Sequence, residues 1–205
     1  MTQVYSVKPV VAAFDFDGTI TTKDTFIPYL KKAFGKRAVY LALFSLVGEA
    51  IKVGVGISNR DSFKEKIVAK LFVGQSLDKL QAIGKEHAKE IERWFRPAAI
   101  KKIHWHNQQG HRLIMVSASL DLYLEPMAKR LGFDELLCTR LSAKNNVLSG
   151  RLLGANCRGI GKTVQLELLV GPLAGVELYA YGDSAGDKEM LEAAMHPFFK
   201  PFIAN

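Results

Sequence analysis

Five apolar residues, Val10-Val11-Ala12-Ala13-Phe14, run without interruption into the polar turn Asp15-Phe16-Asp17-Gly18-Thr19. A run with no polar alternation suits a strand covered on both faces, as in a parallel sheet. Open sheets of that kind bind ligands beyond the carboxyl ends of their strands. A turn carrying two carboxylates therefore stands where chemistry is expected. Residues 111–116, 136–139 and 176–181 read as further strands, each with a helical stretch or a turn beside it. Strands alternating with helices predict an α/β fold built on a doubly wound parallel sheet.

The helical stretches are unevenly distributed. From Asp24 to about Phe95 the pattern is helical throughout, with Phe26, Tyr29, Leu30 and Phe34 at helical spacing. Pro97 opens a helix that runs to Gln109 and stops at Gly110. Residues 121–131 form a helix closed by Gly132, residues 160–170 another opened by Gly159 to Lys162, and residues 188–195 the last. Asn145-Asn146, between residues 141–143 and 147–153, is a hairpin turn. A long helical insertion thus separates the first strand from the second.

Four polar signals follow one another at strand ends or a helix start: Asp15-x-Asp17, Ser117, Lys162, and Asp183-x-x-x-Asp187. Taken singly, each has an ordinary structural use as a capped loop, a helix cap or a surface lysine. Taken together, three carboxylates meeting at one sheet edge repel one another and need a cation, and oxygen ligands suit Mg²⁺. A phosphoryl group in such a site needs its own charge offset. Lys162, the Ser117 hydroxyl and backbone N–H groups of the turn, those of Phe16 and Asp17, are the donors at hand.

In this order the signals resemble the four motifs of the haloacid dehalogenase (HAD) superfamily. The long insertion, Arg151-Leu152 through Gly161-Lys162, and His196-Pro197-Phe198 are similar to its phosphoserine phosphatase-like branch, subfamily IB. The resemblance implies a Rossmann-like core from residues 1–20 and 96–205 and a helical cap from residues 21–95. It also implies a Mg²⁺-dependent phosphatase acting on phosphomonoesters through an aspartyl-phosphate. Asp15 would be the nucleophile and Asp17 the general acid and base. Mg²⁺ would be held by the Asp15 and Asp183 carboxylates and the Asp17 backbone carbonyl. Asp187 would sit behind them, orienting a metal-bound water or Lys162.

In that branch the cap selects the substrate, expected here to be a small phosphorylated metabolite. Phosphoserine phosphatases carry a Glu after the first motif where Asp24 stands, an Arg in the cap for which Arg60 and Lys66 are the candidates, and usually an Asn where Gly186 stands. The stretch Lys31-Lys32-Ala33-Phe34-Gly35-Lys36-Arg37 is basic, and residues 38–48 after it are uncharged. This stretch has two readings: a cap helix packed on its neighbours, or a lid with lysines on anionic headgroups. The latter arrangement, with Arg93-Trp94-Phe95-Arg96, resembles the bacterial phosphatidylglycerophosphate phosphatases of type C. It adds a membrane-associated lipid phosphatase as the alternative function.

Composition narrows the rest. A net charge of +8 fits either solubility or attraction to an anionic partner. No nucleic-acid-binding motif accompanies it, so no nucleic-acid partner is expected. The two cysteines, Cys138 and Cys157, have no metal-ligand spacing and are expected as free thiols. The first nine residues lack a signal-peptide pattern, so the expected location is cytoplasmic, with the inner membrane face as the site of any lipid contact. His104, Trp105 and His106 lie away from the motif ends, as surface or packing residues.

Overall fold

The computed structural model describes residues 8–48, 51 and 60–203, Arg60 by its backbone only. Six strands form one sheet in the order β4-β3-β2-β1-β5-β6: β1 (Val10–Phe14), β2 (Arg112–Leu120), β3 (Glu135–Lys144), β4 (Val147–Leu153), β5 (Glu177–Gly182) and β6 (His196–Phe199). All neighbours are parallel except β4, which pairs antiparallel with the second half of β3.

Central strand β1 explains its own composition. Val11 and Ala13 face one apolar cluster, which holds Leu166 of α7 (Ile160–Val170) and Met190 of α8 (Lys188–Glu192). Ala12 and Phe14 face the opposite cluster, with Ile103 of α5 (Pro97–Gln108) and Met127 of α6 (Asp121–Leu131). Successive side chains point to opposite faces. With both faces covered, every position must be apolar.

Between β1 and α5 the described residues include α1 (Phe26–Phe34), α2 (Lys36–Ser45), α3 (Arg60–Leu71) and α4 (Leu77–Ile91). They share the second cluster, contributing Tyr29, Leu30, Ile67, Val68, Leu80 and Ile91. Contact with the core is tight at Gly84 of α4, where a Cβ would stand 2.0 Å from the Leu122 carbonyl oxygen. Only glycine allows that approach. The chain enters and leaves the insertion side by side: Thr22 N–H donates to the Trp94 carbonyl and Arg96 N–H to the Ile20 carbonyl, both at 2.8 Å.

Several boundaries differ from expectation. Residues 136–139 and 141–143 belong to one strand, β3, whose two halves pair with different partners. Strand β2 continues past Val116 to Leu120 through an irregularity after Ser117. The last helix stops at Glu192 and the chain adds β6, which the sequence reading lacked. His196 and Pro197 hide that short edge strand. Asn145 and Asn146 both have positive φ, at 49° and 64°, which is the backbone a two-residue hairpin turn needs. His104 is exposed, whereas His106 is fully buried and lies 2.8 Å from the Tyr181 hydroxyl. Cys138 and Cys157 are buried free thiols.

Candidate active site

The carboxyl ends of β1, β2 and β5 bring Asp15, Ser117 and Asp183 to one edge, and the first turn of α7 brings Lys162. They line one cavity of about 710 Å³, whose far wall is made by the insertion. Lys162 is 1% exposed, and its Nζ donates to Asp15 Oδ1 and Asp187 Oδ1, each at 2.6 Å. Burial works against the ammonium, but these two carboxylates outweigh it and hold the Lys162 pKa above its ordinary value. Burial pushes Asp15 up to about 7, with Lys162 opposing and Asp187 adding to the rise.

Asp187 is pinned from several sides. Its Oδ2 accepts from the backbone N–H groups of Asp183 (3.2 Å) and Ser184 (3.0 Å) and from the Ser184 hydroxyl (2.9 Å). Burial would raise its pKa, yet Lys162 and the Ser184 donors keep it below the usual carboxylate range. Asp183 has a looser setting: among the described residues its carboxylate accepts from the Thr19 hydroxyl alone, at 3.4 Å. Burial and the charge of Asp187 raise its pKa. Gly18 is what lets Asp183 lie over the first turn: a Cβ there would stand 2.3 Å from Asp183 Oδ2, and φ is +83°.

The residues fit a hard divalent cation. Asp15, Asp183 and Asp187 each offer one oxygen, all within 4.8 Å of one another. Lys162 neutralises one end of that group, and Asp183 at the other end has no ion pair within 4.0 Å among the described residues, Lys162 and Lys200 acting on it from farther away. An all-oxygen set with one carboxylate outside any ion pair suits Mg²⁺ better than a softer metal.

Asp17 belongs to a different neighbourhood. Its Oδ1 accepts from Thr25 N–H (2.7 Å) and the Thr25 hydroxyl (2.6 Å), and its Oδ2 accepts from the Ser119 hydroxyl. Its carboxylate is thus held on the side of the cavity facing the insertion, not among the three that converge. Burial raises its pKa to about 6, helped by the negative charge of Asp24 and opposed by Ser119 and Thr25. Ser117 is buried, and its Oγ accepts from Ser119 N–H at 3.1 Å. Asp15 N–H and Gly18 N–H are taken by the Tyr181 carbonyl and Thr21 Oγ1. Among the described residues, that leaves the Phe16, Asp17 and Thr19 N–H groups of the turn without a hydrogen-bond acceptor.

Of the insertion residues singled out in the sequence, Asp24 lines the cavity and accepts from Ile27 N–H at 3.1 Å. The Arg60 side chain lies outside the described residues, and Lys66 is not among the residues that line the cavity. Among the described residues of the insertion, Lys23 and Lys64 line the cavity, and the sequence reading missed both, together with Asn156 and Ser119. A signal for Lys64 existed: with Ile67, Val68 and Leu71 it falls at i, i+3, i+4 and i+7, on the inward stripe of its helix.

A family model described as haloacid dehalogenase-like hydrolase matches residues 12–192. Protein CicA of Caulobacter vibrioides is 32% identical over 207 residues, covering 98% of this chain and 90% of that relative. Among solved structures, a protein of unknown function from Bordetella pertussis Tohama I superposes with a TM-score of 0.79 at 22% identity, over 93% of this chain and 89% of that one. A phospho-aspartyl intermediate analogue of phosphoserine phosphatase superposes with a TM-score of 0.66 at 23% identity, over 91% and 84%. Fold, motif order and these matches agree: the chain belongs to the haloacid dehalogenase-like hydrolases.

Proposed function

We propose that the protein is a Mg²⁺-dependent phosphatase that hydrolyses phosphomonoesters of small metabolites through an aspartyl-phosphate on Asp15. Residues 21–95 are its cap, and residues 1–20 and 96–205 its core. The observation that carries this reading is the division of labour between two aspartates two residues apart. Asp15 is tied to Lys162 at the phosphoryl end of the cavity, and Asp17 is turned toward the insertion by Thr25 and Ser119. The related structure described above is of a phosphoserine phosphatase with a phospho-aspartyl analogue, which supports the same chemistry here.

The chain's own residues account for each step. An Asp15 carboxylate oxygen attacks phosphorus, the ester P–O bond breaks, and the leaving alkoxide takes a proton from Asp17. Water then attacks the aspartyl-phosphate while Asp17 takes its proton, and the bond from Asp15 to phosphorus breaks to release phosphate. Lys162, Ser117 and the N–H groups of Phe16 and Asp17 offset the charge on the phosphoryl oxygens. Asp15 and Asp183, with the Asp17 carbonyl, would hold Mg²⁺, which when bound supplies positive charge against the phosphoryl group and the nucleophile. Asp187 keeps Lys162 aimed at Asp15. Hydrolysis of p-nitrophenyl phosphate should require Mg²⁺ and vanish in Asp15→Asn. A fully active Asp15→Asn protein would refute the mechanism.

One observation favours a second reading, a lipid phosphatase at a membrane surface. On α2, Leu41 is 70% and Phe44 79% exposed, with Tyr40, and Val47 just past the helix end, also outward and Lys36 and Arg37 at the helix start. No described helix is long and apolar enough to cross a membrane, so such contact would be peripheral. Flotation with vesicles of anionic phospholipid tests this: the protein rises with them, or the reading is lost.

A further inference from the structure

Two hydroxyls grip Asp17, and behind both stands a third. Tyr123, in the first turn of α6, is fully buried. Its hydroxyl lies 3.2 Å from Thr25 Oγ1 and hydrogen-bonds the Ser119 hydroxyl as well. These two partners come from different parts of the fold. Thr25 is the residue just before α1 of the insertion, and Ser119 lies near the end of β2 in the core. One phenol hydroxyl thus joins insertion and core at the very residues that hold Asp17.

Counting protons shows what Tyr123 adds. A hydroxyl has one proton to give. Thr25 gives its own to Asp17 Oδ1 at 2.6 Å and Ser119 gives its own to Oδ2, because a carboxylate is the stronger acceptor. Both hydroxyls are buried, and their remaining lone pairs face Tyr123, which has a proton to donate. Among the described residues neither hydroxyl has a further partner. Without the phenol O–H, each is free to turn its proton away from Asp17. The phenol itself is fixed. Its ring centroid lies 5.0 Å from that of Tyr29 and 5.2 Å, edge to face, from that of His87. His87 Nε2 donates to the Thr25 carbonyl at 3.1 Å, which holds the Thr25 backbone in place.

We propose that Tyr123 is a positioning residue for the leaving-group step: through the Thr25 and Ser119 hydroxyls it keeps the Asp17 carboxyl on the side of the cavity where the ester oxygen departs. This rests on the phosphatase reading and adds a residue to it. In that step the bond from Asp15 to phosphorus forms, the ester P–O bond breaks, and the proton on Asp17 passes to the leaving oxygen. Tyr123 keeps its own proton throughout and touches neither substrate nor phosphorus. Its effect is geometric, and an acid out of hydrogen-bond reach of the leaving oxygen contributes nothing.

The test is Tyr123→Phe, which keeps the ring and removes the hydroxyl. We compare kcat/KM with Mg²⁺ on p-nitrophenyl phosphate, phenyl phosphate and β-glycerol phosphate, whose leaving oxygens need a proton increasingly in that order. This ratio reads the enzyme up to departure of the alcohol and is blind to the later hydrolysis of the aspartyl-phosphate. The loss should be smallest on p-nitrophenyl phosphate and about tenfold larger on β-glycerol phosphate, within the weight of a positioned acid. In an Asp17→Asn background, Tyr123→Phe should no longer change the dependence on leaving group, because the residue it acts through is gone. A loss of folded protein falls equally on every ester and cannot imitate this pattern. Equal losses on the three esters, or the same added dependence in both backgrounds, would overturn the assignment of Tyr123 while leaving an active wild type as a phosphatase. A wild type that hydrolyses none of the three removes the phosphatase reading, and the role of Tyr123 with it.

Discussion

Two of the lysines that line the cavity, one from the core and one from the insertion, have different surroundings. Lys162, on the core wall, is enclosed with two carboxylates at 2.6 Å, and its pKa is held up. Lys64, on the insertion wall, is held by two neutral oxygens, and burial lowers its pKa to about 8. The core wall pairs its lysine with two carboxylates and leaves Asp183 without an ion pair, as the proposed cation site requires. The insertion wall gives its lysine no ion pair within 4.0 Å among the described residues, with Asp17 and Asp61 acting on it from farther away.

The sharpest way to break the contrast is to remove the paired lysine. Lys162→Met leaves Asp15 and Asp187 buried side by side without their cation. Losing one partner of a buried ion pair costs about 3–5 kcal/mol, so the melting temperature should fall well below that of Lys64→Met. Turnover should fall with it. A Lys162→Met protein as stable as wild type would show that the core wall is not held together by this pair.

Sequence and structure can be compared on the same two walls. Asp15, Ser117, Lys162, Asp183 and Asp187 were readable because each stands where an apolar strand or a glycine-marked helix start stops abruptly. Lys64 sits in a helix with Lys66 and Lys70, where composition suggests a solvated face, and only its register against Ile67, Val68 and Leu71 points inward. Asn156 lies in a loop with no periodicity, and its role depends on meeting Asp61 and Lys64 from distant parts of the chain. Strand β6 was missed because four residues containing a proline carry too little pattern.

Asp17 lies between the walls and gives the next largest effect. Asp17→Asn should lower kcat by about 10²–10⁴-fold, the usual weight of a positioned acid or base. With p-nitrophenyl phosphate the leaving group departs without a proton, so Asp17 is needed only as the base of the second step. Its pKa of about 6 then predicts that kcat falls as pH drops below 6, when the carboxylate becomes protonated. The Asn variant should lack that limb. Retention of the limb would assign it to another group.

Mg²⁺ sharpens the contrast from the core side. At a hundredfold excess over its dissociation constant it should stabilise the fold by about 2.7 kcal/mol, seen as a rise in melting temperature. Asp15, raised to about 7 without metal, must be ionised to bind it, so the gain should grow as pH rises through 7. Asp183→Asn should abolish most of the gain and Lys64→Met none of it. A shift that survives Asp183→Asn would place the cation elsewhere.

The smallest effect comes from the insertion wall and carries a sign that distinguishes it. The unfolded Lys64 has a pKa of 10.5 and the folded one about 8. Between these values the unfolded chain binds more protons, so wild-type stability gains with rising pH through that window, and the burial penalty is full only below 8. Lys64→Met carries no such penalty. At pH 7 without substrate it should be as stable as wild type or slightly more so, since replacing an enclosed charge with an apolar side chain of similar length is often neutral or favourable. As pH rises from 8 toward 10.5 the wild type should catch up. Thermal melts of both proteins across that range follow the difference directly. A difference that stays constant means the Lys64 ammonium bears no cost in the free protein.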